Sequence, residues 1–140
     1  MQKRLTIASR LTSVTVKWFL ASAIMLLLVA CAEKPAQHVD LGSWYYQKGL
    51  VDDAILEYKE AIRLLPRDPR DMSRQELRLA SKAHYNLAIA YSKKNWFELA
   101  TVEAKKNFDL QPTQENYRLL ELIEKRNSLE EFDSPATSAN

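Results

Sequence analysis

The feature that most constrains this chain of 140 residues is an arrangement of residue types that occurs twice, with a constant offset of 46 residues. Seven positions in each copy correspond: Leu41, Gly42, Tyr45, Ala54, Tyr58, Ala61 and Pro66 in the first, and Leu87, Ala88, Tyr91, Ala100, Ala104, Asn107 and Pro112 in the second. His38 and His84 share this offset. Similarity at a fixed period means that one supersecondary unit is repeated, so we expect two stacked copies of one unit.

The residues within each copy predict a hairpin of two antiparallel helices. Apolar residues recur at helical spacing in two segments of the first copy, at about Ala36 to Lys48 and Val51 to Leu65. Gly49 lies between these segments, where a left-handed residue ends a helix most easily, and Asn95 takes the same place in the second copy. A proline ends the second helix of each copy, because its ring nitrogen cannot donate a hydrogen bond.

This pattern of Leu-Gly, Tyr, Ala, an aromatic residue, Ala and Pro resembles the tetratricopeptide repeat, a helical hairpin with a period of about 34 residues. The resemblance implies an all-α fold, a fragment of an α-solenoid, with two hairpins at residues 35–68 and 81–114. The second copy departs from the family pattern, because Ala104 replaces an aromatic residue and Asn107 replaces an alanine. We therefore expect the second hairpin to pack more loosely than the first, or differently.

Residues 69–80 form an insert that explains why the offset exceeds the usual period of about 34 residues. Residues 67–71 form a polar turn, which includes the first three residues of the insert. Ser73 and Glu76 then form a capping-box pattern ahead of apolar residues at helical spacing. We expect the third helix to begin near Arg74 and the fourth to span about Trp96 to Leu110.

Residues 115–130 predict one more helix, which Thr113 can cap. A repeat array exposes an apolar end unless a terminal helix covers it, so we predict that this helix caps the stack. Its amphipathic pattern also suits a dimer surface, and this alternative remains open. Residues 131–140 are acidic and then rich in Ser, Ala and Thr, which predicts a disordered tail.

Residues 1–30 have the pattern of a signal peptide. A basic segment precedes 13 uncharged, mainly apolar residues from Trp18 to Ala30, whereas a membrane-spanning helix needs about 20. The run ends in Leu28, Val29, Ala30 and Cys31, which resembles the bacterial lipobox. The resemblance implies that Cys31 receives a thioether-linked diacylglycerol, becomes the mature N-terminus and is N-acylated. Residues 31–34 would then be the lipidated N-terminus and its tether.

The alternative for Cys31 is that it is a small apolar residue at the end of an uncleaved anchor helix. Both interpretations give a membrane-attached protein. Ala32 stands where the lipoprotein family commonly has an Asp in proteins retained at the inner membrane. In a Gram-negative cell, the resemblance therefore implies an outer-membrane lipoprotein that faces the periplasm.

Charge and residue types argue against several functions. The formal net charge of +2 includes a basic leader, and the chain after residue 30 has 16 basic and 18 acidic residues. This balance argues against a nucleic-acid binder, which needs a basic face. The sequence has no second cysteine and no recognisable metal or phosphate-loop spacing, and the repeat accounts for both histidines. We therefore predict a protein that is not an enzyme, with no catalytic residue, metal or cofactor.

Binding of a partner protein is the function that the repeat predicts, because stacked hairpins leave a groove lined by the first helix of each pair. The family's register places ten residues there: Val39, Asp40, Ser43, Tyr46, Gln47, Lys82, Tyr85, Asn86, Ile89 and Lys93. This mixture suits a peptide or a helix of a partner. One subtype of the family clamps a C-terminal carboxylate, but only Asn86 matches the residues it uses, so we reject that clamp.

The sequence thus predicts a lipid-anchored adaptor or scaffold that binds an envelope protein or peptide and assists assembly of an envelope complex. It resembles, in architecture alone, tetratricopeptide lipoproteins that act as pilotins for secretins or as adaptors for envelope hydrolases. The alternative is a structural subunit of an envelope machine, which forms homo-oligomers through the last helix or the open end of the array.

Overall fold

The computed structural model describes residues 34–133, with side chains to residue 130, and this part of the chain is all-helical. Its five α-helices are α1 (Pro35–Gln47), α2 (Val51–Arg63), α3 (Arg74–Lys93), α4 (Phe97–Leu110) and α5 (Gln114–Asp133). A short 3₁₀ turn, Pro69–Asp71, lies in the insert. The described residues contain no strand, so the all-α class is confirmed. The predicted signal peptide, Cys31 and residues 134–140 lie outside the described residues.

The helix ends follow the local signals in the sequence. Gly49 and Asn95 both have positive φ angles, 79° and 58°, which lets the chain turn back after α1 and α3. The backbone N–H of Leu50 donates to Tyr45 at 3.0 Å, and that of Trp96 donates to Tyr91 at the same distance. These two bonds are 46 residues apart, so both copies turn in the same way.

The start of α3 confirms the predicted capping box. Ser73 Oγ accepts a hydrogen bond from the N–H of Glu76 at 3.3 Å, and the Glu76 carboxylate accepts one from the N–H of Ser73 at 2.7 Å. Two of the N–H groups that every helix start leaves unpaired are thereby satisfied. Residues 74–80 of the insert therefore lengthen α3, and only its first five residues, which include the 3₁₀ turn, lie outside the helix.

Each helix packs against its neighbours in sequence, and α1 also contacts α3. Gly42 allows α1 to approach α2 closely, because an added Cβ there would lie 2.7 Å from the Tyr58 ring. The main core cluster joins α2 to α5, and its buried members are Ala54, Ile55, Tyr58, Leu87, Ala88, Ala90, Tyr91, Ala100, Ala104 and Ile123.

Helix α5 contributes to this core as well as ending the described chain. Ile123 is buried in the cluster, and Leu119 and Leu120 pack against it. The helix runs to Asp133, three residues into the segment predicted to be a disordered tail. Glu is a good helix former, so the acidic residues there are compatible with an extra turn. Within the described residues, no helix has the length and apolarity that a membrane span requires.

Candidate functional site

The structure brings together residues of α1 and α3 that the sequence predicts to line one groove. Lys82 Nζ lies 3.6 Å from a carboxylate oxygen of Asp40, and Asn86 Nδ2 donates a hydrogen bond of 3.4 Å to Ser43 Oγ. Both contacts join the first helix of one hairpin to the first helix of the next. We use the name three-helix face for the surface formed by Asp40, Ser43, Lys82 and Asn86, together with Tyr85 and the α5 residues that line a cavity beside it.

The predicted groove residues differ in how far they reach the solvent. Four are exposed: Asp40, Gln47, Lys82 and Lys93. Five are half-buried: Ser43, Tyr46, Tyr85, Asn86 and Ile89. Val39 is fully buried. Val39 packs against Ala61 and Ala83, so it belongs to the core and cannot line an open groove. Ala83 lies on α3, and a register taken from α1 alone does not show that a neighbouring helix covers this position.

Ser43 holds three helices together and is not a free contact residue. Its hydroxyl donates to the backbone carbonyl of Val39 at 2.8 Å and accepts hydrogen bonds from Tyr58 and Asn86, each at 3.4 Å. Burial raises the pKa of the Tyr58 hydroxyl above its ordinary value, although the bond to Ser43 partly offsets this effect. The tyrosine therefore stays neutral and donates. Tyr46 also packs against the core, so part of its ring is structural.

Tyr85 lies at the junction between α3 and α5, where the surface has a cavity. Its volume is about 530 Å³, and its lining is Tyr85, Gln114, Glu115, Arg118, Leu119 and Leu122. Burial, followed by the charge of Glu115 and a hydrogen bond to it, raises the pKa of the Tyr85 hydroxyl. Sequence reasoning assigned α5 to capping and missed its contribution to this surface. The missing information was tertiary, because nothing in the local pattern pairs Tyr85 with Glu115.

The two histidines have matching partners. His38 Nδ1 lies 2.7 Å from Glu57 Oε2, and His84 Nδ1 lies 2.6 Å from Glu103 Oε2. The two glutamates share the offset of 46 residues, which could have been read from the sequence and was missed. Each pair joins the two helices of its own hairpin. The histidines are thus equivalent cross-links and do not form one shared site.

Burial by itself raises the pKa of Glu103, but hydrogen bonds from His84 and Lys106 outweigh it and hold the pKa below its ordinary value. Lys106 Nζ lies 2.9 Å from the other carboxylate oxygen. Glu103 is thus ionised in the folded protein at neutral pH, and it forms the centre of a small network between α3 and α4.

A second cavity, of about 420 Å³, lies where the insert meets the two hairpins. Its lining is mainly apolar and includes Leu65, Met72, Ala80 and Leu110, with Arg67, His84, Lys106 and Asp109 as its polar and charged members. The insert supplies Pro69, Met72 and Ala80, so the added residues form part of the lining. No sequence pattern marked it beforehand.

Among the residues that the structure describes, no group of three His, Cys, Asp or Glu side chains is arranged to hold a metal ion. No protein-family model matches this chain, and no curated protein matches it significantly.

Proposed function

We propose that this protein is a lipid-anchored adaptor of the bacterial cell envelope, with two tetratricopeptide-like hairpins that bind a segment of a partner protein on the three-helix face. The observation that carries this proposal is the cavity beside Tyr85, between α3 and α5. Its volume of about 530 Å³ is sufficient for an amino-acid side chain, and its lining residue Tyr85 is next to Asn86, which contacts Ser43 of α1.

The charges on this face favour an acidic partner segment. Lys82 is paired with Asp40, but within residues 34–130 neither Lys93 nor Arg118 forms a hydrogen bond or an ion pair. These two exposed cations outnumber the one carboxylate in the cavity lining, that of Glu115, and are available to a carboxylate of the partner. The aromatic ring of Tyr85 supplies apolar contact area in the cavity that Arg118 also lines. The segment that best fits is a peptide or helix with an apolar anchor residue and acidic neighbours.

The location rests on the N-terminal sequence. The resemblance of residues 28–31 to the lipobox supports lipid attachment at Cys31, and Ala32 supports transfer to the outer membrane of a Gram-negative cell. The repeat spacing and the matching turns at Gly49 and Asn95 support the tetratricopeptide-like arrangement. An adaptor at a membrane surface is consistent with all three.

Capture of the partner from detergent-solubilised membranes tests the proposal. The double variant Tyr85→Ala, Arg118→Ala removes the apolar contact and one cation without touching the core, so it should lose most of the captured partner while circular dichroism stays unchanged. Leu56→Ala is the matched control, because Leu56 is an exposed apolar residue on α2. Capture that survives the double variant, or that Leu56→Ala reduces equally, would place the interaction elsewhere.

Self-association through α5 is the second candidate, because two of its leucines are exposed. The exposed fraction is 61% for Leu122 and 51% for Leu129, and a spacing of seven residues places both on one side of the helix. Light scattering of the detergent-solubilised protein separates the candidates. A dimer that Leu129→Glu converts to a monomer supports self-association, whereas a wild-type monomer excludes it at the concentration measured.

A further inference from the structure

Helix α1 has a second exposed surface, which we call the outer stripe: Lys34, Gln37, Leu41, Trp44 and Lys48. These residues follow one another at steps of three and four, so they lie along one side of the helix and its two ends. All five are exposed, and the exposed fractions of Leu41 and Trp44 are 40% and 50%. The stripe is thus apolar in its middle and carries a lysine at each end.

The outer stripe is separate from the three-helix face. Ser43 contacts α3 and Gly42 contacts α2, and successive residues of an α-helix are about 100° apart. Leu41 therefore lies on the far side of α1 from Ser43. Trp44 has Tyr45 at its edge, with ring centroids 5.2 Å apart, and Lys48 Nζ 5.8 Å from its ring. Much of both apolar side chains remains in contact with solvent.

We propose that the outer stripe of α1 lies against the bilayer surface, with Leu41 and Trp44 at the boundary between the lipid headgroups and the acyl chains. This inference rests on the proposed attachment of lipid at Cys31. Three residues span at most about 11 Å, so a lipid on Cys31 keeps the start of α1 close to the membrane. Of the surfaces described above, the outer stripe is the one that contains Lys34, the residue at which that tether ends and α1 begins.

The composition of the outer stripe fits a membrane interface better than bulk water. Tryptophan is enriched at the boundary between headgroups and acyl chains, where its ring is buried and its N–H stays hydrated. Lys34 and Lys48 can contact anionic headgroups at the two ends of the stripe. Asp40 is the acid beside the stripe on α1, and its carboxylate is paired with Lys82 of α3. Anchored in this way, α1 lies flat and the three-helix face remains open to a partner.

The chain has three tryptophans, and Trp18 lies in the predicted signal peptide. The mature protein therefore offers Trp44 and Trp96 as matched probes: their exposed fractions are 50% and 44%, and each has a lysine over its ring. Trp96 follows α3 and is not part of the outer stripe. The variants Trp96→Phe and Trp44→Phe leave one probe each.

The experiment uses the lipidated protein reconstituted into vesicles of phosphatidylethanolamine and phosphatidylglycerol with brominated acyl chains, which quench tryptophan on contact. Trp44 should be quenched roughly twofold or more beyond Trp96, because only Trp44 enters the interface. Adding Leu41→Ser to the Trp44-only protein should reduce that difference, whereas Leu56→Ser, an exposed change on α2, should not.

Equal quenching of the two probes, or none of either, overturns the proposal. A dimer in which Trp44 is not quenched by the brominated lipid also overturns it, because a second copy of the chain would then cover the stripe. The intact mass of the same preparation separates this failure from failure of the proposed anchor. Acyl chains on Cys31 with Trp44 unquenched would refute the stripe alone. A mass without lipid would refute the anchor and the stripe that rests on it, while leaving partner binding to its own test.

Discussion

The close approach of α1 and α2 at Gly42 predicts that Gly42→Ala destabilises the protein when Tyr58 is present and stabilises it when Tyr58 is replaced by Ala. In an ordinary helix interior, replacing Gly with Ala stabilises by about 0.5–1 kcal/mol, because Gly loses more backbone entropy on folding. At Gly42 the new methyl carbon would lie 2.7 and 2.8 Å from two carbons of the Tyr58 ring and 3.2 Å from the carbonyl oxygen of Ala54. The Tyr58 ring is buried and cannot swing aside freely.

Overpacking of this kind costs about 1–3 kcal/mol, which exceeds the gain in helix propensity. Gly42→Ala should therefore lower the free energy of unfolding by about 1 kcal/mol. For a domain of about 100 residues, that corresponds to a melting temperature lower by about 4–8 °C. Thermal and urea unfolding, followed by circular dichroism, measure both quantities.

The second hairpin suggests the decisive background. At the equivalent positions it has Ala88 opposite Ala104, so the ring is missing and a methyl group is tolerated. In a Tyr58→Ala protein, which is itself destabilised by about 3–5 kcal/mol, adding Gly42→Ala should stabilise by up to about 0.5–1 kcal/mol, less the cost of the remaining 3.2 Å contact with the Ala54 carbonyl oxygen. Gly49→Ala is the control. Its new Cβ meets nothing within 4 Å, but the φ of 79° is unfavourable for Ala, so it should destabilise equally with or without Tyr58. Destabilisation by Gly42→Ala in both backgrounds would refute the packing argument.

Three further predictions concern Glu103, the pair of Ser81 and Asn107, and Cys31. Because the pKa of Glu103 is lower in the folded protein, its ionised carboxylate contributes to stability at pH values above 4.5, and this contribution is lost as the pH falls through the folded pKa. The free energy of unfolding of Glu103→Gln, measured by urea titration at a series of pH values, should therefore depend less on pH in that range than that of the wild type. Ser81 Oγ donates to buried Asn107 Oδ1 at 2.6 Å, so Ser81→Ala should lower the free energy of unfolding by about 1–3 kcal/mol, and adding Asn107→Ala should recover part of it, whereas an unchanged melting temperature for Ser81→Ala would contradict this bond. Cys31→Ala should abolish lipid labelling, and the intact mass of membrane-extracted wild-type protein should equal residues 31–140 plus acyl chains; a full-length mass without lipid would mean an uncleaved anchor.

The features of the fold that sequence predicted well are those set by neighbouring residues. Ser73 and Glu76 lie three residues apart and form the expected capping box, and the start of α3 at Arg74 follows from them. Gly49 and Asn95 have the left-handed angles that their positions in the repeat require. Local chemistry determines these helix ends, so one sequence is enough to predict them.

The features that sequence missed depend on contacts between distant residues. Val39 has a groove-facing register but is covered by Ala83, which is 44 residues away. Asn107 stands where the first copy has Ala61 and is satisfied on one side by Ser81, while its Nδ2 has no partner among the described residues. The contact of Tyr85 with Glu115 requires knowing where α5 packs. Periodicity reports which face of a helix is apolar, but it does not report which helix covers that face.

Site-specific photo-crosslinking in living cells tests partner binding on the three-helix face most directly. A photoreactive phenylalanine analogue at position 85 replaces a half-buried ring beside the cavity, and the same analogue at position 56 of α2 serves as the exposed control. The proposed function predicts a discrete adduct with another envelope protein at position 85 and no such adduct at position 56. No adduct at position 85, equal adducts at both positions, or an adduct with the mass of two copies of this chain would contradict it.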